Sequence, residues 1–327
     1  MRIAALLLLF IFSSRAYCQA LVIAHRGASG YLPEHSIAAA ALAYGTGADY
    51  IEQDIVLSKD KVPVVLHDIH LGTVTDVERR FPERKRDDGR YYVIDFTLDE
   101  LKQLRLHERQ KQNGQQVYPS RFQARGDFRI ATFEEHIQLV NELNRMTGKN
   151  VGLYAEIKAP AWHQKQDADI SSIVLEVLRQ YQLDDASLPI FIQCFDFTEL
   201  RRWREKLNAK VKLIQLIGEN EWQESDTDYE QLIKPDGLAR IAEFAQGIGP
   251  WIPQLVDLST TEQTSLMNDA RKAGLLVHPY TFRVDDLPDG VSPQHAMHTL
   301  LNVVKVDGIF TDFSDRVLAY QQAHGMR

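Results

Sequence analysis

The chain has 327 residues, of which 44% are hydrophobic and 25% charged. That is the profile of an ordinary globular protein with ample length for a core. A formal net charge of −8 argues against a general nucleic-acid binder, which carries a basic surplus, and leaves room for a local cationic pocket.

Residues 1–20 stand apart. Arg2 supplies a positive start, residues 4–12 form an unbroken apolar run, and small and polar residues follow to Ala20. This is the layout of a secretory signal peptide, with cleavage after Ala16 or Ala20. The run is shorter than the roughly 20 residues a membrane-spanning helix needs. Arg15 occupies the place where a lipobox would want an aliphatic residue, so Cys18 reads as unlipidated. The second cysteine is Cys194. If Cys18 leaves with the signal, no intrachain disulfide forms. If it stays, a bridge is open but not deducible from sequence. No later segment reaches transmembrane length, so the expected mature protein, residues 21–327, is exported and has no stable membrane insertion.

From residue 21 onward, short apolar runs alternate with helical patterns. Strands are predicted at 21–24, 50–56, 62–66, 151–157, 189–195, 212–217, 275–280 and 308–311, with a ninth candidate at 249–256. Helices are predicted at 36–44, 97–104, 132–145, 170–180, 198–207, 238–245 and 260–273. Ser36 is placed as an N-cap. Thr97 with Glu100 and Thr132 with Glu135 have capping-box spacing. Repeated β–α order predicts a parallel sheet covered by helices, and eight strands predict a closed TIM-type (β/α)8 barrel. Two connections break the rhythm. Between Asp54 and Val62 there is no room for a crossover helix. After His67 comes a stretch of about 68–130 with one modest helix and much charge, which predicts a small insertion over the catalytic end of the single barrel domain.

Residues at the C-terminal ends of barrel strands converge on one site. The successive ends carry His25 and Arg26, Glu52 and Asp54, His67 and Asp68, Glu156 and Lys158, Gln193 and Cys194, His278 and Tyr280 with Phe282 and Arg283, and Thr311 and Asp312. Glu52 and Asp54 lie two apart on a strand and so share a face. Alone, that spacing describes any half-exposed strand. Glu156 and Lys158 repeat it, and three crowded carboxylates, Glu52, Asp54 and Glu156, would repel one another without a hard cation such as Ca²⁺ or Mg²⁺. His25 and His67 have the residue type for proton transfer near neutrality. A single strand-end histidine is more often structural; a pair beside Arg26 and carboxylates is a less ordinary coincidence. Arg26 suits phosphate oxygens or, equally by chemistry, a neighbouring carboxylate. Lys158 balances charge near the same place. Phe282 and Tyr280 are able to wall a small apolar pocket or simply pack. His35 reads as structural.

In order and spacing, His25-Arg26-Gly27, Glu52-Gln53-Asp54, His67-Asp68, Glu156-Ile157-Lys158 and the run 308–312 resemble the glycerophosphodiester phosphodiesterase family. The runs 23–36, 90–97 and 278–283 resemble its periplasmic, calcium-dependent bacterial branch. The resemblance covers about 21–316. It implies hydrolysis of glycerophosphocholine, glycerophosphoethanolamine and similar diesters to an alcohol and sn-glycerol 3-phosphate. It implies His25 and His67 as the acid–base pair, and Arg26, Lys158 and Phe282 around the substrate. A divalent cation, calcium with magnesium as the alternative, is implied on Glu52, Asp54 and Glu156. Gln193 and Cys194 depart from the family pattern at that strand, where a serine is expected before the phenylalanine, here Phe195; this puts a hydrogen bond in question. Expected partners are the small-molecule substrate and no nucleic acid; a dimer is open. The competing readings are phospholipase D-like action on lysolipid headgroups, and a non-catalytic secreted binding protein on the same barrel.

Overall fold

The computed structural model describes residues 19–124 and 126–327; the expected signal segment lies almost wholly outside them. Nine strands form, β1 (Leu21–Ala24), β2 (Tyr50–Leu57), β3 (Pro63–Val65), β4 (Gly152–Ile157), β5 (Ile190–Cys194), β6 (Lys212–Ile217), β7 (Gly247–Pro250), β8 (Leu276–Val277) and β9 (Gly308–Thr311). Eight of them run parallel in the order β8-β7-β6-β5-β4-β2-β1-β9. The seam between β8 and β9 is closed by backbone bonds from Asp307 to Val277 and from Phe310 to Pro279, both 3.0 Å, and from Phe282 to Phe310 at 2.8 Å. The fold is the expected TIM-type barrel.

Strand membership differs from the expectation at two places. The predicted third strand is β3, which pairs antiparallel with β2 through Ile55 and Val65, Val56 and Val64, and Leu57 and Pro63. A five-residue turn cannot make a parallel crossover, so the chain folds straight back. The seventh barrel strand is the supernumerary candidate: Gly247–Pro250 joins the wall, and Ile252–Gln254 coils into a short 3₁₀ turn.

Alternation along each strand sorts side chains into two cores. Val22, Ile51, Ile55, Leu153, Ile157, Ile192 and Ile309 face the surrounding helices. Ile23, Tyr50, Tyr154, Phe191, Ile214 and Phe310 fill the barrel interior. His278 joins that interior plug, fully buried with Nδ1 2.9 Å from the Tyr154 hydroxyl. The inward rows that begin with Tyr50 and Tyr154 continue toward the strand ends as Glu52 and Asp54, and as Glu156 and Lys158. In register, Asp54 stands beside Glu156 and Glu156 beside Gln193.

The helix-start signals hold. Ser36 accepts from the Ala39 amide at the head of the helix Ile37–Thr46. Thr97 with Glu100 and Thr132 with Glu135 form reciprocal capping boxes. Helices shift or shorten where propensity alone set the bounds: the stretch 260–273 is helical only over Leu266–Lys272. After β3 the chain builds a small apolar cluster of its own, with Leu71, Val74, Val77, Val93, Phe96 and Leu104 packed on Val56, Val64 and Leu66. Among the described residues, no helix is long and apolar enough to cross a membrane.

Candidate active site

His25 and Arg26 follow directly on the end of β1. The turn that follows needs left-handed backbone at Arg26 (φ 57°) and Gly27 (φ 78°), a region glycine adopts without strain. His25 Nδ1 lies 2.6 Å from Asp312 Oδ1, at the end of β9. Asp312 also binds Arg283 Nε at 2.8 Å and Arg121 Nη2 at 2.8 Å. Burial opposes its ionisation, but Arg283, His25 and Arg121 hold the carboxyl well below the usual carboxylate range. An ionised carboxylate only accepts, so Nδ1–H of His25 donates and the Nε2 lone pair is left for chemistry.

His67 is built the same way. The β2–β3 hairpin brings it back over the barrel mouth, where Nδ1 lies 2.6 Å from Asp68 Oδ1. Asp68 accepts from Arg109 Nη1 at 2.7 Å. His67 and Arg109 keep its carboxyl well below the ordinary range against the opposing effect of burial. The Nε2 of His67 accepts from Lys158 Nζ at 3.5 Å. Burial and then the charge of Arg26 lower His25 to about 4; burial, Arg26 and Lys158 lower His67 to about 3. Both imidazoles therefore rest neutral at pH 7.

The carboxylates sit between them. Glu52 Oε2 accepts from the Arg26 amide at 2.6 Å and Oε1 from Gln193 Nε2 at 3.4 Å. Asp54 Oδ2 accepts from His35 Nε2 at 2.7 Å and lies 3.5 Å from Arg26 Nε. Its other oxygen is buried without a partner among the described residues. Glu156 stands beside Asp54 in the sheet register and pairs with Lys158 Nζ at 2.8 Å. Burial, and after it the neighbouring carboxylates, push Glu52 well above the carboxylate range. Glu156 is pushed up by burial and Asp54, with Lys158 opposing. Three buried carboxyls that cannot all ionise alone, with an orphan oxygen among them, fit a hard divalent cation. His35, Glu52 and Asp54 bring donor atoms within 4.8 Å of one another. Because His35 spends Nε2 on Asp54, it fits best as the residue that orients that carboxylate, leaving the oxygens to hold the ion.

His25, Arg26, Glu52, His67, Glu156 and Gln193 open into one cavity of about 250 Å³, whose walls also include Phe195, Trp222, Trp251 and Tyr280; Asp54 is fully buried and does not line it. A larger cavity of about 610 Å³ lies in the insertion and carries no comparable constellation. Lys158 is buried just behind Glu156. Phe282 does not line the cavity: it is 1% exposed and its ring joins the helix-side core, while Thr281 and Tyr280 take the wall. Cys194 keeps the hydrogen bonding in question: its Sγ donates to the Ile157 carbonyl and accepts from the Asp196 amide, both at 3.4 Å. It is the one free cysteine among the described residues and is buried.

Asp68, Asp312 and Arg283 stand at strand ends in the sequence with no role attached, and His35 reads there as structural; Glu34, Arg109 and Arg121 carry no assignment. Arg109 bridges the site: Nε and Nη2 bind Glu34 at 2.9 and 2.6 Å, while Nη1 holds Asp68. Glu34 in turn accepts from Arg26 Nη1 at 3.2 Å. The signal for Glu34 and His35 was their place in the loop directly after His25-Arg26-Gly27. For Arg109 and Arg121, in a charged insertion, no local signal existed.

A family model for the glycerophosphoryl diester phosphodiesterase family matches residues 25–316. The chain is 40% identical over 319 residues to a glycerophosphodiester phosphodiesterase of Haemophilus influenzae, covering 90% of this chain and 88% of that protein. It is 35% identical over 319 residues to the enzyme of that name from Treponema pallidum, covering 90% of each. The fold matches a crystal structure from Silicibacter pomeroyi with TM-score 0.71 at 21% identity, covering 94% of this chain and 95% of that one. It also matches a phosphodiesterase of Oleispira antarctica solved with the product sn-glycerol-3-phosphate, with TM-score 0.63 at 22% identity, covering 94% and 99%. With nearly its whole length accounted for in this way, the chain belongs to the glycerophosphoryl diester phosphodiesterase family and is a phosphodiester hydrolase.

Proposed function

We propose that the enzyme hydrolyses glycerophosphodiesters of the glycerophosphocholine and glycerophosphoethanolamine kind to an alcohol and sn-glycerol 3-phosphate, with His25 and His67 as acid and base. The observation that carries this reading is the pair of Asp–His couples, Asp312–His25 and Asp68–His67, facing one cavity that also holds Glu52 and Glu156. The product seen with the Oleispira antarctica phosphodiesterase supports the same product here.

Arg26 and Lys158 supply fixed positive charge for the phosphodiester anion. That anion raises the pKa of both nearby imidazoles, so one can hold a proton at Nε2 while the other stays free. The free Nε2 takes the proton of the attacking oxygen, from water or the glycerol 2-hydroxyl. The protonated one delivers to the departing alkoxide. Asp312 and Asp68 keep each ring in the tautomer that presents Nε2 and stabilise the imidazolium that forms. Glu52, Asp54 and Glu156 would hold a divalent cation, calcium by preference, which supplies Lewis-acid neutralisation of charge on the phosphoryl oxygens when bound. Release of glycerol 3-phosphate from glycerophosphocholine is expected with added Ca²⁺ and lost in EDTA. Equal turnover in both conditions removes the cation from this reading, and no release in either removes the reaction.

The proposed compartment is the periplasm, reached through residues 1–20. The support is the layout of Arg2, the apolar run 4–12 and the small residues after it. N-terminal sequencing of protein from the periplasmic fraction is expected to begin at residue 17 or 21. A chain beginning at Met1 in the cytoplasmic fraction contradicts it.

One feature favours lysolipid headgroups as a second substrate class. Trp222 and Trp251, 41% and 38% exposed, meet edge to face at 5.3 Å on the cavity mouth, where an acyl chain would pass. Parallel assays on lysophosphatidylcholine and glycerophosphocholine separate the two.

A further inference from the structure

Arg283 follows Phe282 on the segment that continues from β8. Phe282 is fixed there: its amide donates to the Phe310 carbonyl at 2.8 Å, it bridges to Thr311, and its ring is buried in the helix-side core. Successive side chains of an extended segment point to opposite faces, so Arg283 is turned the other way, toward the histidines. It lines the active-site cavity and also a second cavity of about 150 Å³; both cavities share His25, Arg26 and His67.

One carboxylate fixes where its guanidinium stands. Asp312 Oδ2 accepts from Arg283 Nε at 2.8 Å, while Oδ1 lies 2.6 Å from His25 Nδ1. Guanidinium and imidazole are thus held side by side on the two oxygens of one group. The guanidinium groups that the insertion sends here are spent. Arg109 uses Nε, Nη1 and Nη2 on Glu34 and Asp68. Arg121 uses Nε and Nη2 on Asp285 and Asp312. Arg283 gives only Nε to a carboxylate, and its two Nη groups have no hydrogen-bond or ion-pair partner among the described residues. None of its nitrogens is buried without a partner, and the side chain is 21% exposed, so these donors reach open space.

A forked cation with unspent donors beside a proton-transfer imidazole suits a phosphodiester anion, whose non-bridging oxygens accept paired N–H bonds. In phosphoryl transfer, charge is spread over those oxygens, and donors already aimed at them lower the barrier. Resting on the hydrolytic reading above, we propose that Arg283 is a phosphate-binding residue that donates from its Nη groups to a non-bridging oxygen of the diester, on the His25 side of the site and in addition to Arg26 and Lys158.

The test measures the dissociation constant of sn-glycerol 3-phosphate by isothermal titration with calcium present, and kcat and KM on glycerophosphocholine. The wild type is compared with Arg283→Met, Arg283→Gln and Arg283→Lys. Each folded neutral variant is expected to weaken product binding and to raise KM by at least about tenfold. Arg283→Lys keeps the charge and loses the fork, so it is expected to bind product more tightly than the neutral variants and less tightly than the wild type. A residue that only steadied Asp312 would lower kcat alone. Product affinity and KM within about threefold of wild type in either folded neutral variant therefore overturn the inference. A loss of product affinity that the lysine does not relieve at all is the mark of a structural role and overturns it too. A wild-type enzyme that releases no glycerol 3-phosphate overturns the hydrolytic reading, and the dissociation constants still decide the role of Arg283.

Discussion

Asp312 does two things for His25 that pull in the same direction. Its carboxylate accepts a hydrogen bond from Nδ1 at 2.6 Å, and its negative charge opposes the burial and the Arg26 charge that together still leave the imidazole lowered to about 4. Asp312→Asn removes that raising effect, so the His25 pKa falls further. Whether His25 serves as base or acid, the limb of the pH–rate profile it controls moves toward lower pH. We expect that acid shift in kcat/KM, with kcat reduced by about 100-fold or more. An unmoved profile with near-normal kcat contradicts the role. His25, His67, Glu52, Asp54 and Glu156 were legible in the sequence because strand alternation and barrel topology fix where such residues point. The orienting partners were visible only as residue types. Glu34 and His35 sit in a loop, where spacing carries no direction, and His35 has left-handed backbone (φ 61°). Phe282 was misplaced because its strand end continues as barrel wall, bridging to Thr311, with the ring turned to the helix-side core.

The β1 turn and the insertion decide whether these residues meet. Gly27 lies so close to the helix Ile37–Thr46 that a Cβ would fall 2.8 Å from the Ala39 carbonyl carbon and 2.9 Å from the Ala40 amide nitrogen. Left-handed backbone and a backbone clash combine, so Gly27→Ala is expected to destabilise by about 1–3 kcal/mol and to lower activity by displacing His25 and Arg26. Thermal unfolding of the folded variant checks this, and an unchanged melting temperature contradicts it. The insertion reaches both Asp–His couples, through Arg109 to Asp68 and through Arg121 to Asp312. The long break in β–α rhythm sets the stretch apart from the regular barrel elements. Its contacts were not readable, because long-range ion pairs leave no periodic trace in a charged stretch. The β2–β3 hairpin shows the same limit: a three-residue strand of Pro63, Val64 and Val65 has apolar character but no mark of its direction, and only the shortness of the connection spoke against a parallel partner.

On the scale of the molecule, the barrel holds a polar, like-charged layer directly above an aromatic plug. Glu52 and Glu156 are kept well above the carboxylate range by burial and by Asp54, so in the absence of a cation that layer costs stability at neutral pH. A cation bound only by the folded state stabilises by mass action, by about 2.7 kcal/mol at one hundred times its dissociation constant. We therefore expect the melting temperature at pH 7.5 to rise with calcium and fall back with EDTA. The shift should shrink as pH drops, because protons compete for the same carboxyls. Identical melting in calcium and EDTA contradicts a cation site here. The central claim is that His25 and His67 together break the bond between phosphorus and the leaving alcohol. ³¹P NMR of glycerophosphocholine turnover by the wild-type enzyme, His25→Ala and His67→Ala tests it most directly. The expected result is sn-glycerol 3-phosphate as the phosphorus product of the wild type, and turnover reduced at least about 100-fold in each variant with the fold intact. Phosphocholine as the product, or near-normal turnover in either variant, contradicts it.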